Sequence, residues 1–338
     1  MSLPMPDLIS EGKGIVLAGD IGGTKTLLAL YRSSTLELIR SQHYHSGEWA
    51  DLAPMVEAFL GGDQAEAACF AVAGPVAKGQ AQLTNLSWKL DQDQLAKQLG
   101  IGQLELVNDF AVLIYGLPHL RDDQRAQIRA GKPNSCAPLM VIGAGTGLGV
   151  AFGVQTASGL VAMASEASHG EFAPRTQAEW ELKQWLASEF SLPRISTERV
   201  VSGTGLGLLA RWLLATQAEP DHPLHLVAAD PNSDLPAQVS KQAALGNPLA
   251  RQALDHWIDL YGSVSGDLAL ATLCQGGIWL AGGTAGKLLS ELQAGGFERG
   301  FLSKGRLAAV LESIPITAVI DPTIGQFSAA CRARMLAA

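Results

Sequence analysis

The sequence predicts an α/β protein of two domains, and three observations predict it. Short apolar runs alternate with capped helical segments along the chain, as in sheets whose strands are joined by helices. Two glycine-rich loops, each set between two apolar runs, stand in separate halves of the chain. The 338 residues, 47% hydrophobic and 17% charged, exceed what one small core needs and suit two domains of ordinary size.

Taken in order, residues 15–18 form a short apolar run, followed by a glycine-rich turn and a second run at 27–31. That reads as a hairpin rather than as a strand-to-helix unit. A third strand is expected over 36–44. Asp51 then caps a helix through Leu60, with Pro54 tolerated in its first turn. Residues 67–73 read as a fully buried strand, and Asp91 caps a helix that Gly100 stops. A strand at 103–107 ends at Asn108-Asp109, where a helix is expected to begin. The polar segment 119–138, with Gly131, Pro133 and Asn134 near its end, reads as the passage between domains. A strand at 139–142, the second glycine loop and a strand at 150–154 follow. Thr176 with Glu179 makes a capping box for a helix to about Phe190. The chain is then mainly helical up to Leu273. It closes with a strand at 277–281, a Gly-Gly turn and helix, a strand at 316–320 and a last helix.

Composition excludes several function classes. A formal net charge of −8 argues against nucleic acid or an anionic membrane as the main partner. Cys69, Cys136, Cys274 and Cys331 lie far apart with no metal-ligand spacing, as expected of free thiols in a reducing, cytoplasmic setting. No secretory signal is evident in residues 1–14. The uncharged stretches 133–165 and 268–286 are both broken by glycines, which suits buried strands and turns rather than membrane spans.

The two loops, Gly19-Asp20-Ile21-Gly22-Gly23-Thr24 and Gly143-Ala144-Gly145-Thr146-Gly147, carry the first chemical signal. Glycine lets successive backbone N–H groups approach one anion, and the hydroxyls of Thr24 and Thr146 add donors. Asp20 would repel a phosphate, so it makes sense beside a Mg²⁺ ion that neutralises both. Two such tips suit a nucleotide gripped from both sides of a cleft. The alternative is a pair of plain hairpin turns. Neither loop matches the Gly-x4-Gly-Lys-Ser/Thr pattern of a P-loop, and the second lacks the helix of a dinucleotide fingerprint.

With Asn108-Asp109-Phe110, these loops are similar in order and spacing to bacterial glucokinases of the actin-like ATPase superfamily. So are Ala73-Gly74-Pro75-Val76, Leu83-Thr84-Asn85-Leu86-Ser87-Trp88, Glu198-Arg199-Val200-Val201-Ser202-Gly203 and Ala281-Gly282-Gly283. The resemblance runs from about Val16 to the end. It implies the two-domain actin-like ATPase (ribonuclease H-like) fold with an interdomain cleft. Residues 1–118 with the returning 319–338 would form the small domain and 119–318 the large one. It further implies Mg-ATP and glucose as substrates and a homodimer.

A sugar hydroxyl is a weak acid, and a kinase needs a carboxylate to take its proton. On sequence alone Asp109 is equally a helix N-cap; the resemblance makes it the catalytic base. Asn108, donor and acceptor at once, suits a neighbouring pair of sugar hydroxyls. Glu166 and His169 resemble the family's Glu-Gly-Gly-His step that holds sugar hydroxyls, with Ala167 and Ser168 replacing the glycines; a metal site is the alternative. Glu198 matches the carboxylate near the anomeric end, or is a solvated charge beside Arg199. Gly19, Asp20, Ile21, Gly22, Gly23 and Thr24, with Gly145, Thr146 and Gly147, are the expected phosphate contacts. Gly282 and Gly283 are expected to let adenine lie on the backbone, or form a simple turn. Thr84, Asn85 and Trp88 are candidates for a supporting wall. A related hexose or N-acetylhexosamine kinase is disfavoured, since residues 170–194 lack that group's zinc-binding cysteines. A sugar-responsive regulator would need a helix-turn-helix, for which the lead before Val16 is short. An actin- or chaperone-like ATPase would have no use for the Asn-Asp and Glu-x-x-His steps.

Overall fold

The computed structural model describes residues 14–83, 86–218 and 221–338. The chain divides into two compact units, Met1–Leu120 with Pro322–Ala338, and Arg121–Asp321.

The first unit runs β1 (Ile15–Ile21), β2 (Lys25–Arg32), β3 (Leu38–His45), α1 (Leu52–Leu60) and β4 (Ala67–Val72). A small sheet of β5 (Val76–Ala77), β6 (Gln80–Gln82) and β7 (Lys89–Asp91) follows, then α2 (Gln92–Leu99), β8 (Gln103–Asn108) and the short α3 (Leu113–Gly116). The main sheet has the order β3-β2-β1-β4-β8, with β1, β4 and β8 parallel and the β1–β2–β3 meander antiparallel. All six residues of β4 are buried, as its composition requires of a strand covered on both faces. Gly61 and Gly100 end α1 and α2 at φ +59° and +66°. Asp91 Oδ1 accepts from the N–H groups of Asp93 and Gln94.

Two expectations need correcting here. The third strand starts at Leu38 because Leu36, at φ +56°, belongs to the turn and donates its N–H to the Arg32 carbonyl. No helix starts at Asn108-Asp109; the chain turns, and α3 begins at Leu113.

The second unit contains β9 (Arg125–Arg129), β10 (Leu139–Ala144), β11 (Leu148–Thr156), β12 (Gly159–Ser165), α4 (Gln177–Glu189), α5 (Thr197–Val200) and α6 (Gly203–Gln217). It continues with α7 (Leu224–Ala229), α8 (Leu235–Ala244), α9 (Pro248–Thr272), β13 (Gly277–Leu280), α10 (Gly283–Lys287), α11 (Leu289–Gln293), α12 (Gly296–Leu302), α13 (Ala308–Leu311) and β14 (Ile316–Val319). The last helix, α14 (Ile324–Ala337), belongs to the first unit and packs on β1, β4 and α3.

The second sheet, β12-β11-β10-β13-β14-β9, repeats the first in order and direction and adds one strand. β10, β13 and β14 are parallel, and β10–β11–β12 form an antiparallel meander. The added strand corrects the reading of 119–138 as a mere passage: β9 lies there, an antiparallel edge partner of β14. Its polar sequence follows from that edge position, where one side of a strand stays in solvent.

The core of this unit centres on α9, whose Trp257 and Tyr261 are fully buried with Phe297 and Phe301 of α12. α9 and α12 approach so closely that a Cβ at Gly262 would fall 2.0 Å from the Phe297 carbonyl oxygen. Thr176 caps α4 by accepting the Glu179 N–H, but Glu179 turns back to the N–H and guanidinium of Arg175, so the box closes one residue earlier. Cys69, Cys274 and Cys331 are buried free thiols and Cys136 is exposed. Among the described residues, no helix is long and apolar enough to cross a membrane.

Candidate active site

In the first unit the β1–β2 hairpin closes when the Gly22 N–H donates to the Lys25 carbonyl at 3.0 Å. A Cβ on Gly22 would lie 2.8 Å from that oxygen, so the closure needs glycine. Ser46 holds the tip from behind: its hydroxyl donates to the Gly22 carbonyl and its N–H to the Thr24 carbonyl. No hydrogen bond among the described residues occupies the N–H groups of Gly23 and Thr24. Those donors stand ready for an anion. Gly19 and Ile21, expected among the nucleotide contacts, have other roles. Both are buried inside β1, a central strand, and a Cβ at Gly19 would meet the Phe70 ring at 2.6 Å. Gly19 is a packing glycine and Ile21 a core residue.

Asp20 is the penultimate residue of the same strand, and Asp109 follows β8 two strands away at the same end of the sheet. Burial raises the Asp20 carboxyl above its ordinary value, with His43 pulling the other way. Asp20 makes no ion pair with Lys or Arg among the described residues. The Asp109 side chain reaches solvent, but the protein mass beneath it still strips hydration. That burial first, and the Asp20 charge second, push it up to about 6. Two carboxylates so placed fit a divalent cation. No group of three or more His, Cys, Asp or Glu that would hold a metal exists among the described residues. Such an ion would therefore take most of its ligands from phosphate and water, which suits Mg²⁺.

Asn108, not Asp109, is the residue that caps the turn. Its Oδ1 accepts from the N–H groups of Phe110 and Ala111, at 3.1 and 3.0 Å. Its Nδ2 donates to the Gly74 carbonyl at 3.1 Å and to Asp109 Oδ1 at 3.0 Å. Both donors and both lone pairs are used, so Asn108 aims its neighbour. Trp88 is a core residue, 3% exposed, with its Nε1–H donating to the Trp49 carbonyl. Thr84 and Asn85 lie outside the described residues.

The second unit repeats the hairpin device. The Gly145 N–H donates to the Gly147 carbonyl at 2.8 Å, while the N–H groups of Thr146 and Gly147 have no partner among the described residues. The start of α6 braces this tip: the Gly203 N–H donates to the Gly145 carbonyl at 2.7 Å and Thr204 Oγ1 to the Thr146 carbonyl at 2.9 Å. Glu198 Oε2 accepts the Leu148 N–H at 2.9 Å. The register of β11 and β12, Val150 opposite Ser165, brings Glu166 to the same end of the sheet. Glu166 and His169 face each other at 3.6 Å, both largely exposed. The Thr197 N–H bonds the Gly170 carbonyl, and Glu171 pairs with Ser196, so the Glu166–His169 turn lies along the segment leading to Glu198. Ala167 and Ser168 cost no backbone strain, since neither has a positive φ. Ser168 is buried and Ala167 packs on the core, so neither crowds the surface.

A pocket of about 790 Å³ opens beside the second loop. Gly145, Thr146, Gly203, Thr204, Gly283 and Lys287 are among the residues lining it. Gly282 sits at φ +82° and ψ 173°, a conformation that only glycine adopts easily, while Gly283 lines open space. The start of α6 is the part that sequence reasoning overlooked. Its signal was Ser202 followed by Gly205, an N-cap spacing; Ser202 Oγ does accept the Gly205 N–H at 2.9 Å.

Two sheets of one order, each opening on a hairpin whose tip amides are free, define the two-domain actin-like ATPase fold of sugar kinases. The glucokinase family model matches residues 17–336. The chain belongs to the glucokinase family. It is 38% identical to a glucokinase of Nostoc punctiforme over 95% of this chain and 99% of that one. It is 39% identical to a glucokinase of Synechocystis sp., over 93% and 96%. Among solved structures, a glucokinase from an Antarctic psychrotroph superposes with a TM-score of 0.81 at 30% identity, covering 94% of this chain and 98% of that one.

Proposed function

We infer that this enzyme transfers the γ-phosphoryl group of ATP to the 6-hydroxyl of glucose, with Asp109 as the base. The observation that carries the reading is the Asp109 carboxyl, with Asn108 taking the cap in its place and aiming it, poised at about 6 beside Asp20. At neutral pH such a carboxyl is ionised yet more basic than an ordinary aspartate.

The free amides of Gly23, Thr24, Thr146 and Gly147 bind the phosphates, and Gly282 and Gly283 give adenine a backbone surface. Gly22 and Gly145 shape the two turns. Asp20 is the residue that would hold Mg²⁺, which would supply positive charge to the phosphates. Glu166, His169 and Glu198 are the groups for the sugar hydroxyls, and Asp109 takes the 6-hydroxyl proton as oxygen attacks phosphorus in line. Exclusion of water protects ATP from hydrolysis. Asn108 acts through Asp109. We further read residues 1–118 with 319–338 as a small domain, 119–318 as a large one, and the enzyme as a cytoplasmic homodimer.

Coupled ADP release across a panel of glucose, mannose, fructose, glucosamine, N-acetylglucosamine and 6-deoxyglucose tests the reading. Glucose should turn over fastest and 6-deoxyglucose not at all; faster turnover of an N-acetylhexosamine would sink it. A chelator should stop the reaction and added Mg²⁺ restore it.

Asn108→Ala should move the acid limb of kcat/KM to higher pH, because one of the hydrogen bonds that lower the Asp109 pKa, beside those of the Phe110 and Asp109 N–H groups, is gone. It should also cost about 0.5–2 kcal/mol of stability through the lost cap. A pH–rate profile and a thermal unfolding curve read both, and an unmoved acid limb would remove Asn108 from the positioning role.

A further inference from the structure

Glu198 is expected to bind sugar, yet one of its oxygens is engaged elsewhere. Oε2 accepts the Leu148 N–H at 2.9 Å, at the first residue of β11 after the second phosphate loop. The approach depends on Gly147: a Cβ there would lie 2.5 Å from Oε2 and 3.2 Å from the carboxyl carbon. Oε1 has no hydrogen-bond partner among the described residues. The same turn is held by the Gly203 N–H and the Thr204 hydroxyl, both from the helix that starts five residues beyond Glu198. That helix is fixed in turn by Trp257, whose Nε1–H donates to the Ser202 carbonyl at 2.9 Å in the core.

The carboxylate thus has two separate faces. One fastens the end of the 145–147 loop, whose free Thr146 and Gly147 amides need a fixed geometry to converge on an anion. The other is open. A charge-assisted bond to a backbone N–H is worth more than a neutral one, and losing it leaves Leu148 N–H, in a residue 3% exposed, without a partner.

We propose that Glu198 is a positioning residue for the nucleotide: through Oε2 and the Leu148 N–H it holds the 145–147 loop in its phosphate-binding shape before sugar arrives. Sugar engaging Oε1 then restrains the same carboxylate, so the two substrates are coupled through one side chain. This rests on reading 145–147 as a phosphate loop.

The test titrates Mg-AMP-PNP calorimetrically into the sugar-free enzyme. Glu198→Ala should bind it about 10-fold or more weakly than wild type, the loss expected for a hydrogen bond to a charged group. Glu198→Gln, which keeps an oxygen for the Leu148 N–H, should restore affinity to within about threefold. Gly147→Ala, with Glu198 intact but displaced, should lose nucleotide affinity as Glu198→Ala does. It also serves if Glu198→Ala does not fold. Glucose titrated separately should bind both Glu198 variants more weakly. Wild-type nucleotide affinity in Glu198→Ala or in Gly147→Ala would overturn the inference while leaving the sugar role standing, as would a Gln variant as weak as Ala. A wild-type enzyme that fails to bind Mg-AMP-PNP would overturn both the inference and the phosphate-loop reading.

Discussion

Asp109→Asn is expected to leave a folded enzyme that binds glucose with little loss but turns over about 10²–10⁴-fold more slowly, the range for removing a general base. The wild-type enzyme should show an acid limb in kcat/KM with an apparent pKa near 6, the value to which burial and the Asp20 charge bring this carboxyl. The ionised form is the base, so activity falls as pH drops through that value. Stability runs the opposite way. A carboxyl whose folded pKa lies above its unfolded one resists ionisation in the native state, and the fold loses stability as pH rises from the ordinary carboxylate range through about 6. Asp109→Asn removes that cost, so its unfolding midpoint at about pH 8 should be no lower than wild type. A variant with near-normal kcat, or an acid limb far from 6 in the parent, would take Asp109 out of the base role.

Asp20→Asn is expected to lower kcat by about 10²–10³, the order seen when a preorganised charge interaction at a transferring group is removed. It should raise the Mg²⁺ concentration needed for half-maximal rate. It carries a second signature that simple misfolding would not produce. The Asp20 charge raises the Asp109 pKa, so removing it should shift the acid limb of the residual activity to lower pH. Pre-steady-state and steady-state rates across pH and Mg²⁺ read both effects. An unchanged Mg²⁺ requirement, with an unmoved acid limb, would leave Asp20 a buried carboxylate without a part in transfer.

Most of the scaffold was legible because its signals are local. Both glycine hairpins, the caps at Asp51, Asp91 and Thr176, and the buried strand β4 each follow from a few adjacent residues. What stayed hidden depended on partners far along the chain. β9 reads as a polar connection until β14, nearly 190 residues later, supplies its edge. Gly19 looks like part of a phosphate loop until Phe70 packs against its Cα side. Leu36 looks like strand until its positive φ places it in a turn.

The candidate site divides along the same line. The sequence, read together with its family resemblance, singled out the groups able to carry the chemistry: the carboxylates at 20, 109, 166 and 198, the histidine at 169, and two loops able to offer amides. Residue type fixes charge, hydrogen-bonding capacity and backbone freedom wherever the chain goes. Only the tertiary structure decided how those groups are used. The Gly74 carbonyl completes the bonds of Asn108 and turns it into a support for Asp109, and the Leu148 N–H claims one oxygen of Glu198. A hydrogen bond needs both partners within about 3 Å, and that coincidence is made by sheet register and helix packing, not by neighbours in the sequence.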